Sequence, residues 1–144
     1  MLSPEYDELA KLVIQKKKRE KVESSKAITK YRVLDSNYGT SLVECQPVTG
    51  VKHQIRTHLA FATGCPILGD HKYSHYAKLV PQKLDLVTLK KLSVRQAKVR
   101  TIPMCLHSYG VAIPGFLNNQ QNIFIRARIP YHFRHFLQHL KLRM

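Results

Sequence analysis

The side chains able to do chemistry concentrate between Pro47 and Tyr73, which reads PVTGVKHQIRTHLAFATGCPILGDHKY. Arg56 stands out. Its guanidinium is always charged and offers five N–H donors in a planar fork, a match for a carboxylate or a phosphate. A helix is predicted from about Lys52, with Ile55, Leu59 and Ala62 at i, i+4 and i+7 as its buried stripe. Arg56 then lies about 100° round from Ile55, at the edge of the core. An unpaired cation there is costly, so two readings stay open. One is an architectural salt bridge. The other is an arginine that aims a catalytic carboxylate or clamps a phosphate chain. Lys52, His53 and Gln54 sit at the amino end of the same helix, where free N–H groups attract phosphate.

Other constellations are weaker. His132, His135 and His139 share a helical spacing of i, i+3 and i+7, but no cysteine or carboxylate lies near them in sequence to complete a zinc site. A basic, aromatic-flanked helix surface accounts for them without metal. His71 and His75 beside Asp70 form a second sparse triple. Cys105 is two residues from His107, and side chains at that spacing on a strand lie about 7 Å apart, too far for proton transfer. Cys45 and Cys65 read as small core residues. No phosphate-cradling glycine loop or dinucleotide fingerprint occurs. No metal is expected.

The totals narrow the partner. The chain has 144 residues, room for one domain, and a hydrophobic fraction of 44% that can build a core. Lys plus Arg number 24 against 9 acids, a formal charge of +15. That excess points to a polyanion, with nucleic acid first and an anionic membrane surface second. No apolar run approaches the roughly 20 residues of a membrane span. The opening MLSPEYDELAK has early acids and no apolar signal core, and it is not the Arg-rich, acid-poor pattern of a transit peptide. Three scattered cysteines fit a reducing compartment.

The positioning elements run in order along the chain. Ser3-Pro4-Glu5 is a helix start, and a helix is expected to about Glu23, carrying the basic run Lys16 to Arg19. This is either a solvated face or a phosphate-contacting arm, so residues 1–26 are read as a basic arm and 27–144 as the main unit. Ala27–Leu34 and Thr40–Gln46 alternate as a β-hairpin about a turn at Asp35–Gly39. Gly64 and Pro66 end the central helix. Residues 74–104 are polar and basic, an expected insertion on the sheet, with Asp85 or Thr88 capping one helix to Leu92 and Ser93 another to Val99. Leu106–Ile113 and Asn122–Ile129 are expected strands joined by a 114–120 loop. After Pro130, Phe133, Phe136, Leu137 and Leu140 mark a final amphipathic helix.

Thr49–Leu59, TGVKHQIRTHL, followed by Gly64–Tyr73, GCPILGDHKY, resembles the RluA-type RNA pseudouridine synthases. Their pattern runs T-G-R-x-H-Q-I-R-x-H-L and then G-x-P-I-x-G-D-x-x-Y. Ala27, Thr29 and Tyr31 match the family's preceding A-x-T-x-Y strand, and Leu106-His107 its later strand opening. The resemblance covers about residues 27–140, and the wording is similar to the animal mitochondrial members. It implies an α+β fold, a mixed, mainly antiparallel β-sheet with flanking helices. It implies a cofactor-free reaction in which an aspartate attacks the target uridine, the C1′–N1 bond breaks, and the turned uracil rejoins through C5. A tyrosine assists removal of the C5 proton. Arg56 falls on the arginine that pairs the aspartate, and Lys52, His53, Gln54, Lys72 and Tyr73 are the expected RNA-binding residues.

The family's nucleophile lies in an H-R-L-D-x-x-T-S-G motif with no counterpart in these 144 residues. Arg32–Ser36 is a decoy, because Asp35 aligns with the variable loop after the strand and lacks the histidine and T-S-G. The family's catalytic tyrosine also comes earlier, so Tyr31 is not expected to be it. The chain therefore reads as the C-terminal part of the enzyme, inactive alone. A non-catalytic RNA-binding module using the same basic surface is the alternative, and a histidine-based structural or metal-dependent module is a third. The expected partner is RNA (ribosomal, transfer or messenger), with no membrane and a monomeric state. The expected location is mitochondrial by resemblance, otherwise cytoplasmic or nuclear.

Overall fold

The computed structural model describes residues 26–115 and 122–144. The expected amino-terminal helix, its basic run and most of the 114–120 loop lie outside these residues. Strands β1 (Thr29–Asn37) and β2 (Thr40–Pro47) form an antiparallel hairpin. Its turn is shorter than expected. Tyr38 and Gly39 both take left-handed φ, 50° and 69°, as a two-residue hairpin turn of the I′ kind requires. Asp35, Ser36 and Asn37 therefore stay in the strand, opposite Leu42, Ser41 and Thr40, and a bulge between Val33 and Asp35 absorbs the offset.

The hairpin base is tied to the central helix. Thr49 Oγ1 accepts the Ile28 N–H at 2.8 Å and donates to Gln54 Oε1 at 2.7 Å. Helix α1 (Gln54–Thr57) is a single turn that widens into a π-helical turn, His58–Ala62. The expected stripe of Ile55, Leu59 and Ala62 is only half-buried, and the deepest side chains are Gln54 and His58. Polar bonding explains the difference. Gln54 Nε2 donates to Ile28 O and Thr29 Oγ1, and His58 Nδ1 bonds Thr29 Oγ1 at 2.9 Å. Ile55 and Leu59 instead line an apolar groove beside the hairpin.

The core also departs from expectation. Leu89 and Leu92 of α2 (Leu86–Leu92) pack with Val99, Ile102 and Leu140. Most of this cluster belongs to the 74–104 segment expected to be a peripheral insertion. Asp85 caps α2 as expected, accepting the Thr88 N–H at 2.9 Å. Ser93 does not start a helix. It closes α2 in a left-handed conformation, and a 3-10 turn comes next at Gln96–Thr101.

Strands β3 (Gly110–Ile113) and β4 (Ile123–Arg126) pair antiparallel and are shorter than predicted. The fold is α+β with antiparallel pairing, but the described residues hold two separate two-stranded sheets instead of one. Without a further neighbour, a strand has no ladder to extend along. Helix α3 (Tyr131–His139) begins after Pro130 as predicted, and Leu140 at its end closes the core.

Candidate active site

Arg56 projects from α1 onto the turn Ile67–Asp70. Its Nε–H donates to Asp70 Oδ2 and its Nη2–H to Asp70 Oδ1, both at 2.7 Å. The pairing is bidentate, the strong geometry for these groups. The Asp70 side chain is 1% exposed and that of Arg56 18%. Oδ1 also accepts the backbone N–H groups of Lys72 and Tyr73 at 3.2 and 3.3 Å. Burial alone would raise the Asp70 pKa, but the Arg56 hydrogen bonds and charge, with the two backbone donors, outweigh it and hold the carboxyl below the usual range. The Asp70 hydrogen bond in turn raises the Arg56 pKa. Among the described residues Arg56 Nη1 makes no hydrogen bond.

The turn is built to deliver Asp70. Gly69 takes φ +81°, and a Cβ there would lie 2.4 Å from the Pro103 carbonyl oxygen. Only glycine combines that φ with that approach. Gln82, buried, accepts the Gly69 N–H at 2.9 Å and donates to Ile67 O at 3.2 Å. Sequence reasoning missed Gln82, because nothing local marks a residue that clamps a turn 13 positions away. It named Asp70 beside His71 and His75 and within the Gly64–Tyr73 match, but did not pair it with Arg56.

Tyr73 supports the other side of the arginine. Its ring centroid lies 4.8 Å from Arg56 Cζ and 5.2 Å from Lys72 Nζ. Its hydroxyl bonds His53 Nδ1 at 2.6 Å. His53 holds a left-handed backbone, φ 60° and ψ 19°, which is strained for a residue with a Cβ. Burial, then the Arg56, Lys72 and Lys52 charges, lowers its pKa, so the ring is neutral at pH 7. Phe61 packs edge-on to Tyr73 and to Tyr76, at 6.0 and 5.5 Å, and Tyr76 stands 86% exposed. These two aromatics were also missed. Phe61 looks like helix core in sequence, and Tyr76 falls in the polar stretch.

The expected set divides. Arg56, His53, Lys72 and Tyr73 converge, and Lys52 is exposed next to them. Gln54 does not join them. It is buried, and its side chain is used up on Thr49, Val51, Ile28 and Thr29. Burial pushes the Cys105 thiol up to about 12, which removes it as a nucleophile at neutral pH. Asp35 is engaged by the N–H groups of Ser36 and Arg143.

A sequence model described as RNA pseudouridylate synthase matches residues 5–61, which includes α1 and Arg56. The human protein named "Pseudouridylate synthase RPUSD4, mitochondrial" is 47% identical over 118 residues, covering 82% of this chain and 31% of its own. Its zebrafish (Danio rerio) namesake is 49% identical over 116 residues, 81% of this chain and 32% of that one. The solved structure titled "Human RNA Pseudouridylate Synthase Domain Containing 4" superposes with a TM-score of 0.77 at 45% identity, covering 88% of this chain and 49% of that chain. The chain belongs to the RNA pseudouridylate synthase family. A more distant member, the human "Mitochondrial mRNA pseudouridine synthase RPUSD3", is 29% identical over 134 residues, covering 83% of this chain and 38% of its own. The chain spans about a third of the length of the curated synthases it matches. The family match begins at residue 5, inside the segment read as a separate arm.

Proposed function

We propose that this chain forms the arginine-bearing wall of an RNA pseudouridine synthase site, the C-terminal part of the catalytic domain. The observation that carries the reading is the braced arginine. Asp70 and Tyr73 fix the Arg56 guanidinium while its Nη1 stays uncommitted among the described residues. A carboxylate brought to that free edge would be met by a donor of fixed direction and aimed. In the proposed reaction that carboxylate belongs to a nucleophilic aspartate outside these 144 residues. It attacks the target uridine, the C1′–N1 bond breaks, the uracil turns, and C5 bonds to C1′. The C5 proton is then removed and N1 is protonated. No cofactor is required.

An apolar groove supports a missing neighbour. It runs between the β1–β2 hairpin, α1 and α3, encloses about 670 Å³, and is lined by Leu42, Ile55, Leu59, Phe136 and Leu137 among others. Val111, Phe124 and Ile125 on the β3–β4 hairpin are also exposed. Open strands and exposed apolar side chains are what an incomplete sheet presents.

The proposed substrate is RNA, contacted through Lys52, His53, Lys72 and Tyr73. Ribosomal, transfer and messenger RNA fit these groups alike. A mitochondrial location is supported by the names of the relatives. The test is tritium release from RNA labelled at uridine C5. A complete synthase containing this segment should turn over, and Arg56→Ala should slow it roughly 100-fold or more, the scale of a misplaced reacting group. Unchanged turnover removes Arg56 from the site. The 144-residue chain alone should show none, and any measurable turnover overturns that part of the proposal.

One observation favours a second reading, a non-catalytic RNA-binding module. The four acidic side chains of the described residues, Asp35, Glu44, Asp70 and Asp85, are all engaged within the chain. Turnover by the complete protein decides against that reading.

A further inference from the structure

A second basic surface lies between α2 and α3 and shares no residue with the Arg56 wall. Its groove, about 750 Å³, is lined by Leu86, Val87, Lys90, Lys91, Gln138 and His139. Leu86 is 83% exposed and Val87 50%, an unusual display of apolar surface beside two lysines. From the groove a row of rings runs along α3. His139 and His135 have centroids 4.2 Å apart, and His135 stacks on Tyr131 at 6.0 Å and 24°. Tyr131, at the far end, is 78% exposed. On the other side Lys91 lies 4.3 Å from the Tyr38 ring at the hairpin turn. Asp85, which precedes α2, is committed to capping it through Thr88.

Exposed rings at the two ends of this row, Tyr131 and His139, beside lysines with no acid partner among the described residues match one chemistry, an unstacked base with its phosphates. Bases stack on aromatic side chains largely regardless of sequence, and lysines track the backbone. An acidic peptide would use the charge but leave the ring row without a partner. A bilayer would need far more apolar surface than two aliphatic side chains supply.

We propose that the α2–α3 groove is a second RNA-contact site, taking unpaired nucleotides that flank the segment at Arg56. Lys90 and Lys91 hold the phosphates, and successive bases stack against Leu86 and Val87 and against the exposed rings of the His139–His135–Tyr131 row. The proposal rests on the reading of the chain as an RNA-binding wall, and it divides the RNA footprint between two places.

The test is fluorescence anisotropy on the 144-residue chain with a short fluorescein-labelled single-stranded RNA, repeated across salt concentrations. The variants are Lys90→Glu with Lys91→Glu, Tyr131→Ala, and Lys52→Glu with Lys72→Glu on the Arg56 wall. All five positions are at the surface or half-exposed, and unchanged circular-dichroism melts confirm folding. The Lys90/Lys91 variant should weaken binding at least about tenfold and lower the salt slope by roughly 1 to 2. Tyr131→Ala should weaken single-strand binding about fivefold or more and leave duplex binding unchanged. Groove variants that bind like wild type, while the Lys52/Lys72 variant loses affinity, overturn the second site and leave the Arg56 wall standing. Groove variants that instead lose affinity for anionic vesicles or poly-glutamate, with RNA binding intact, assign the surface to another partner and also overturn it. Absence of any RNA binding by the wild-type chain overturns both.

Discussion

Asp70→Asn isolates the brace on Arg56. The substitution keeps shape but removes the charge, and it turns one acceptor oxygen into an NH2 group facing an N–H of the guanidinium. Both members of the pair are more than four-fifths buried, so solvent screening is weak. Breaking a buried pair by removing one partner costs about 3–5 kcal/mol. Arg56 keeps its contact with the Tyr73 ring and some solvent access, so the lower end, about 3 kcal/mol, is expected. For a chain of this size that is roughly a 10 °C fall in Tm, read by calorimetry or circular dichroism. The sign of the pH effect comes from the depressed Asp70 pKa. The stabilisation is present above the unfolded value of about 3.9 and disappears as the pH falls through the lower folded value. Asp70→Asn should therefore flatten the wild-type loss of stability below about pH 4. A double-mutant cycle with Arg56→Ala should return a coupling of about 2 kcal/mol or more. A Tm within about 3 °C of wild type, or a coupling below about 0.5 kcal/mol, refutes the brace as the element that fixes Arg56.

Three further substitutions probe the supports. Gly69→Ala drives a Cβ into the Pro103 carbonyl at 2.4 Å in a left-handed conformation, and denaturant unfolding should show a loss of about 3 kcal/mol or more. A loss under about 1 kcal/mol means that the turn shifts freely and does not aim Asp70. Asp85→Ala removes the α2 cap and should cost about 1–2 kcal/mol in the same assay. No change would place the stability of the Leu89–Leu92 core outside α2. Tyr73→Phe deletes the 2.6 Å bond to His53 and should cost about 1 kcal/mol, with the ring still under Arg56. A loss as large as that of Asp70→Asn would make the His53 bond, and not the ring, the main support.

What was legible in the sequence depended on how local the signal was. The hairpin, the Asp85 cap, the helix after Pro130 and the prominence of Arg56 all depend on neighbours within a few positions. The hairpin turn was placed too broadly because Asp35, Ser36 and Asn37 carry turn chemistry. The left-handed pair Tyr38-Gly39 closes the loop by itself, and a bulge restores the register. The buried face of α1 was misread because apolar periodicity identifies core only when polar groups have nothing to satisfy. Here Gln54 and His58 are drawn inward by the Ile28 carbonyl and the Thr29 hydroxyl at the start of β1. The 74–104 segment was read as peripheral from its average polarity, yet Leu89, Leu92, Val99 and Ile102 pack on one another and on Leu140, the last more than 35 residues away. Gln82 and the pairing of Asp70 with Arg56 are likewise tertiary.

The two readings of Arg56 set out from sequence, an architectural salt bridge and a holder of a catalytic carboxylate, are not alternatives in this geometry. A guanidinium has two usable edges. The Nε/Nη2 edge is spent on Asp70, whose charge already balances it. A second carboxylate arriving at Nη1 therefore meets a nearly neutral pair, and Coulomb attraction alone would hold it weakly. What remains is direction: a donor whose plane is fixed by two short bonds on one edge and by the Tyr73 ring on its face. In the proposed site Arg56 thus acts by aim more than by charge. The distinction is measurable in the complete enzyme, because Arg56→Lys keeps the charge and loses the fork. Its turnover should fall nearly as far as that of Arg56→Ala, whereas a charge-dominated role would leave it close to wild type.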